Sequence, residues 1–184
     1  MVGTNPSSGA ATTYVPVVLV TIQLTFPHGA PLDATSKIIS TVASPIFQAA
    51  EFPSGSTQFG DAVQRAEFWS AIRSQASGYH VLLEQPTLLT TQTIDVPVDF
   101  GVQFNAGKTE IPVGMLDLVW FQEQLQSLLR KLHPDPRALT IFLTYHALVF
   151  HDKPENCCLI GAHSVLHSTD TAGRSIANWL NTSL

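Results

Sequence analysis

Basic residues are too few and too dispersed to build a nucleic-acid surface. Nine Lys plus Arg stand against fourteen Asp plus Glu, a formal net charge of −5, and they form no stripe able to neutralise a run of phosphates. Nucleic acid is excluded as a partner on that ground. Charge of either sign is scarce, at 12% of residues, about half of the ~25% usual in soluble domains. With 45% hydrophobic residues, the exterior must take its polarity from Ser, Thr, Gln, Asn and backbone. A homo-oligomer or other partner covering surplus apolar surface is the corresponding expectation.

Long apolar runs are also missing. None approaches the ~20 residues of a membrane-spanning helix. Residues 1–13 are polar and rich in Gly, Ser and Thr, a flexible N-terminal segment lacking the apolar centre of a signal peptide. The expectation is a soluble chain without its own signal peptide, or the mature part of an exported one.

The only two cysteines, Cys157 and Cys158, are neighbours. On a regular extended strand their side chains point to opposite faces, which predicts two buried free thiols rather than a vicinal disulfide or a metal site.

What is present fits one domain, residues 14–184, long enough to bury a sizeable core. Val15 to Phe26 alternates: Pro16, Val18, Val20, Ile22, Leu24 and Phe26 share one face, and the other turns polar at Gln23 and Thr25. That is a strand, half-wet toward its end. Asp33 caps a helix with Ile38, Ile39 and Val42 on one stripe, leaving at Ser44-Pro45. Phe52 to Ser56 reads as loop, and Asp61 with Gln64 resembles a capping box for a helix carrying Ala62, Ala66, Trp69 and Ile72, with Arg65 placed to pair with Asp61.

Tyr79–Leu83 and Leu88–Val98 are strand candidates, and Gly101–Pro112 reads as loop. Met115–Leu132 is the clearest helix, with Leu118, Phe121, Leu125, Leu128 and Leu132 in register, ending at His133-Pro134. Leu139–Phe150 is apolar on both faces, as for a central strand, with Cys157–Leu166 as its neighbour. Ser175–Leu184 could be a short amphipathic helix through Ile176, Trp179 and Leu180. Strands alternating with helices predict a single layered α/β domain, a mixed β-sheet packed by helices.

Chemistry-bearing residues gather late in the chain. His163 and His167 have helical metal-ligand spacing, yet Ser164 stands where the zinc-protease pattern needs Glu. Ser164 also lacks the flanking glycines of a nucleophile elbow, since Ala162 and Leu166 hold those places. A serine nucleophile served by His163, His167, His146 or His151, with Asp152 or Asp170 as orienting acid, is admissible on geometry alone. The catalytic candidates are His163, Ser164, His146 and Asp170; His80 and His167 are the substrate-binding candidates.

Each has a plainer alternative. His146 in an apolar strand suits a core histidine bonded to backbone, and His80, near Glu84, acts as a base only if it lines a cleft. Asp95, Asp99 and Glu110 are oxygen ligands that calcium would accept and are otherwise solvated acids. Trp69, Trp120 and Phe121 are core positions before they are a binding platform.

Four strings carry a resemblance: Ser44-Pro45-Ile46-Phe47, Thr57 to Trp69, Tyr79 to Leu83, and Cys157 to Ser164. Together they resemble a group of uncharacterised, usually secreted bacterial proteins with a zinc-peptidase-like (zincin-like) architecture, over most of the chain from Tyr14. The resemblance implies the front, sheet-bearing part of such a domain, and secretion. In that group a helix bearing a His-Glu pair follows the region matching Ser175–Leu184, so no zinc ligand of the group maps onto a residue here.

Two function classes follow. One is a hydrolase acting on a small ester, lactone or amide substrate, with zinc or calcium as the ions that would assist it. The other is a non-catalytic, truncated zincin-like module that binds a partner or a second copy of itself.

Overall fold

The computed structural model describes residues 12–53, 55–67, 78–108, 110–159, 161–169 and 175–183. In chain order the strands and helices are β1 (Thr12–Val15), β2 (Val17–Thr25), β3 (Leu32–Asp33), α1 (Ile38–Val42), β4 (Ala50–Phe52), β5 (Gly55–Thr57), α2 (Phe59–Glu67), β6 (His80–Leu83) and β7 (Thr87–Asp95). There follow β8 (Gly101–Ala106), β9 (Ile111–Asp117), α3 (Leu118–Leu132), β10 (Leu139–Leu143), β11 (Ala147–Phe150), β12 (Cys157–Leu159), β13 (Gly161–Thr169) and β14 (Ser175–Ser183). Parallel and antiparallel pairs both occur and the sheets stay open, so the class is mixed α/β. Contacts divide the chain into two compact units, Met1–Val17 with Ile38–Thr87, and Val18–Lys37 with Leu88–Leu184.

In the larger unit one sheet runs β13-β14-β10-β2-β3, with β7 also on β2, and a second runs β12-β11-β9-β8. Val18, Val20, Ile22, Leu24 and Phe26, the face the alternation marks, all enter the core, while Gln23 and Thr25 stay half-buried. Helix α3 brings Trp120, Phe121, Leu125 and Leu129 against them. Each such side chain contributes about 1.5–3 kcal/mol on burial. Asp117 starts the helix by accepting the Trp120 N–H at 2.8 Å, and His133, left-handed at φ 45°, closes it through its N–H on Leu129 O.

In the smaller unit β1 and β6 pair in parallel, β4 and β5 form a short antiparallel hairpin, and α2 packs on β6.

Several expectations are corrected. Pro16 divides the first strand into β1 and β2. Asp33 does cap, taking both the N–H and hydroxyl of Thr35, but the helix it starts is one 3-10 turn followed by the five residues of α1, and Ile39 is 83% exposed rather than buried. Phe52, Gly55 and Ser56 belong to the β4–β5 pair of strands instead. Gly101–Ala106 and Ile111–Pro112 are not loop but lie in the paired strands β8 and β9, in register from Gly101↔Leu116 to Ala106↔Ile111. Met115–Asp117 end that hairpin, so the helix begins at Leu118.

Leu139–Phe150 is two strands in different sheets, because the chain bends at Thr144–His146, where His146 has φ 53°. Ser175–Ser183 is a strand along β10 and β13, where backbone pairing outweighs a helical pattern of only three apolar residues. Cys157 and Cys158 are joined as a vicinal disulfide across a cis peptide bond. The free-thiol expectation rested on unbroken strand alternation, and the β11–β12 register shifts just there, Phe150 facing Cys157 while Val149 faces Leu159.

Candidate active site

Three side chains bind α2 to β6. Gln58, just ahead of the helix, Asp61 and Arg65 step along one helical face and meet strand backbone two residues apart each time. Gln58 accepts from Leu83 N at 2.6 Å and donates to Leu83 O at 2.8 Å, Asp61 Oδ1 accepts from Val81 N at 2.8 Å, and Arg65 Nη1 donates to Tyr79 O at 2.6 Å. The spacings match because three or four helical residues rise roughly 4.5–6 Å and two strand residues roughly 6.6 Å. Gln58 also donates to Phe47 O at 2.9 Å.

Asp61 has a second role. Its side chain is 1% exposed, and Oδ2 accepts from the Thr57 hydroxyl at 2.7 Å and from His80 Nδ1 at 2.8 Å. Burial alone pushes the Asp61 carboxyl up; hydrogen bonds from His80, Thr57 and Val81 N–H, with the attraction of His80, outweigh that and hold it below the ordinary 3.8. An ionised carboxylate only accepts, so Nδ1 of His80 carries a proton, and in the neutral form of the ring the lone pair is on Nε2. The His80 side chain is 33% exposed. A partly exposed histidine held by a buried acid is the orienter-and-base half of a hydrolytic site.

Phe52, Pro53, Phe59, Ala62, Val63 and Ala66 line an apolar cavity of about 320 Å³ in the same unit. At about 100° per residue its α2 members fill one sector of the helix and Asp61 with Arg65 a neighbouring one. One short helix thus carries a polar face that fixes the base and an apolar face that walls a cavity.

The other candidates lie elsewhere. His146 sits in the bend between β10 and β11, half-buried, with Nδ1 3.1 Å from Pro112 O and its ring 3.7 Å from that of Tyr145, over which Lys37 Nζ lies at 4.3 Å. His163, Ser164 and His167 occupy β13 opposite Asn181, Leu180 and Ala177 of β14. On a strand His163 and His167 are roughly 13 Å apart along the backbone, beyond a shared ion. β14 in turn sets Leu180 against Thr140 and Asn181 against Ile141 of β10. His163 and Ser164 therefore lie level with the middle of β10, two strand spacings or roughly 10 Å away, and the register does not bring His146 to them.

Asp170, Trp69 and Ile72 fall outside the described residues. His151 and Asp152 pair at 3.0 Å in open solvent. Asp95 accepts from the Thr25 hydroxyl, while Asp99 and Glu110 lie in turns. Trp120 is buried under Phe100, 5.4 Å between ring centres.

Among the described residues no three His, Cys, Asp or Glu side chains group as metal ligands. Nor is any helix among them long and apolar enough to cross a membrane. No protein-family model, curated protein or solved structure matches the chain.

Sequence reasoning singled out His80 and Asp61 separately, one beside Glu84 and the other as a helix cap. Asp61 is instead inside the first turn of α2, with Gln58 at its head. An acid in a first turn whose side chain is not needed for capping was the available signal.

Proposed function

We propose that this chain is a hydrolase-type protein acting on a small ester, lactone or amide, with His80 as general base and Asp61 as its orienting acid. The supporting observation is the hydrogen bond between a buried carboxylate held below its ordinary pKa and the imidazole of a partly exposed histidine. His80 Nε2 takes a proton from water as the water oxygen bonds to the substrate carbonyl carbon. The tetrahedral adduct then expels the alcohol or amine, which recovers that proton from Nε2. Asp61 stabilises the imidazolium that exists between the two transfers. No step runs through a metal. Secretion and a zincin-like architecture stay part of the proposal through the four strings that carry the resemblance.

The test is turnover of a panel of short-chain esters, lactones and anilides by the native chain and by His80→Ala and Asp61→Asn. Loss of about 100-fold or more in His80→Ala is expected for a general base, with a smaller loss in Asp61→Asn. Equal turnover in native and His80→Ala protein would remove the base. A partner-binding, self-associating module is the second reading, favoured by the exposure of Val102, Phe104 and Ile111 on one hairpin.

A further inference from the structure

On α2 the residues that hold β6 and the residues that wall the cavity alternate along the chain. Asp61, which holds His80, is followed by Ala62, and Arg65, which holds Tyr79 O, by Ala66; both alanines line the apolar cavity together with Phe59 and Val63. One Cα step of about 3.8 Å, the length of the Asp61 side chain and its 2.8 Å hydrogen bond put the Ala62 Cα at most about 10 Å from His80 Nδ1. The remaining walls, Phe52 and Pro53, come from the end of β4, and the Phe52 and Phe59 rings stand 6.3 Å apart. Every lining side chain is apolar, so a charged group entering there would lose its water and gain no partner. Phe59 is 52% and Val63 44% exposed, and a ligand enters past them from solvent.

Size decides the occupant. At about 320 Å³ the cavity holds less than one turn of a partner's helix, which is roughly 10 Å across and 5.4 Å high. An apolar cavity of roughly 150 Å³ takes up benzene, so twice that volume suits a chain of up to about ten carbons. At roughly 1.5 Å per carbon–carbon bond, eight extended carbons also cover the distance from His80 to the cavity wall. We infer that the cavity receives the acyl chain of the substrate, an unbranched and uncharged chain of about six to ten carbons whose ester or amide carbonyl lies at His80. The inference rests on His80 acting as general base and names the substrate class of that same site.

Turnover by the full chain of p-nitrophenyl esters from acetate to dodecanoate, each kept below its micellar concentration, tests this. kcat/KM should rise about two- to fourfold per methylene from butanoate to octanoate and level off beyond decanoate, where the cavity is full. Ala66→Phe fills the cavity from an exposed position on α2 and should lower the octanoate-to-butanoate ratio about tenfold or more, with native circular dichroism. Glu67→Phe adds the same ring one residue on, at an exposed position outside the lining, and should keep the native ratio. A kcat/KM that is flat in chain length, or a ratio that Ala66→Phe leaves unaltered, overturns the inference while turnover that needs His80 still stands. A cavity that a second copy covers instead would give that unaltered ratio together with a dimer, seen by light scattering, that Ala66→Phe disrupts. Equal turnover in native and His80→Ala protein, or none of any ester, removes the base and this inference with it.

Discussion

His80 and Asp61 are joined by a 2.8 Å hydrogen bond whose acceptor is sealed from water and whose donor ring is one-third open. The asymmetry matters more than the distance. A carboxylate that also holds Thr57 and the Val81 N–H cannot rotate to release the imidazole without breaking partners buried with it. The ring is thereby fixed in tautomer and plane, as a base must be to receive a proton in one direction.

The pair should be energetically coupled. Asp61→Asn keeps the shape but sets an amide nitrogen where at least one donor already points, and should cost about 2–3 kcal/mol, the range for a buried charged hydrogen-bond partner. His80→Gln should cost about 1.5–3 kcal/mol, losing a charge-assisted bond to the Asp61 carboxylate at a partly exposed site. Urea denaturation of both single variants and the double variant gives the coupling, expected at about 1 kcal/mol. Additive losses would show that the two residues act independently.

The same carboxylate predicts an acid limb. Because the folded Asp61 titrates below the ordinary 3.8, the unfolded chain binds its proton at higher pH than the folded one. Its contribution is therefore fully present above the unfolded value and is lost as pH falls through the folded one. Stability followed downward from pH 5 should decline below about pH 4, and Asp61→Asn should flatten that part of the decline. An unchanged slope would place the acid sensitivity on other groups.

Gln58 is the firmest strut between α2 and β6, since one amide group satisfies both backbone groups of Leu83 and also reaches Phe47 O. Gln58→Ala leaves those groups without partners at a site where Gln58 itself is 9% exposed. A loss of about 2–3 kcal/mol is expected, with faster amide exchange at Leu83 than at Val15, on the partner strand. Exchange unchanged at Leu83 would count against the strut.

Local pattern reveals those elements whose pattern and burial coincide. β2 is legible because Val18 to Phe26 alternate and one face is wholly buried, and α3 because Phe121, Leu125 and Leu129 repeat with the helix and His133 marks its end, although the pattern misses its start at Asp117. The β8–β9 hairpin is obscured by Gly101, Asn105 and Gly107, which read as loop although Val102 and Phe104 alternate correctly; the strand exists because β9 is there to pair with it. β14 is likewise a strand through its neighbours. The His80–Asp61 contact joins positions 19 residues apart on different elements, so no spacing rule reaches it. What could be read was each residue's chemistry, and that was enough to retain His80 as a candidate.

Gly114 tests how tightly the larger core is closed. It lies on β9 with its N–H on His146 O, and a Cβ there would come 2.6 Å from Cζ and 2.8 Å from Cε2 of Phe26, and 3.0 Å from Cδ1 of Leu32. Neither neighbour can swing away, since Phe26 and Leu32 are themselves core residues. Gly114→Ala should destabilise by about 1–3 kcal/mol through overpacking. Phe26→Leu removes the ring atoms in the way and costs stability through the space it leaves. The double variant, in which the new methyl occupies part of that space, should lose less than the sum of the two, measured by denaturant midpoint at constant slope. Simple additivity would mean that Phe26 yields to the methyl by moving, and that the contact between β9 and the end of β2 is looser than 2.6 Å implies.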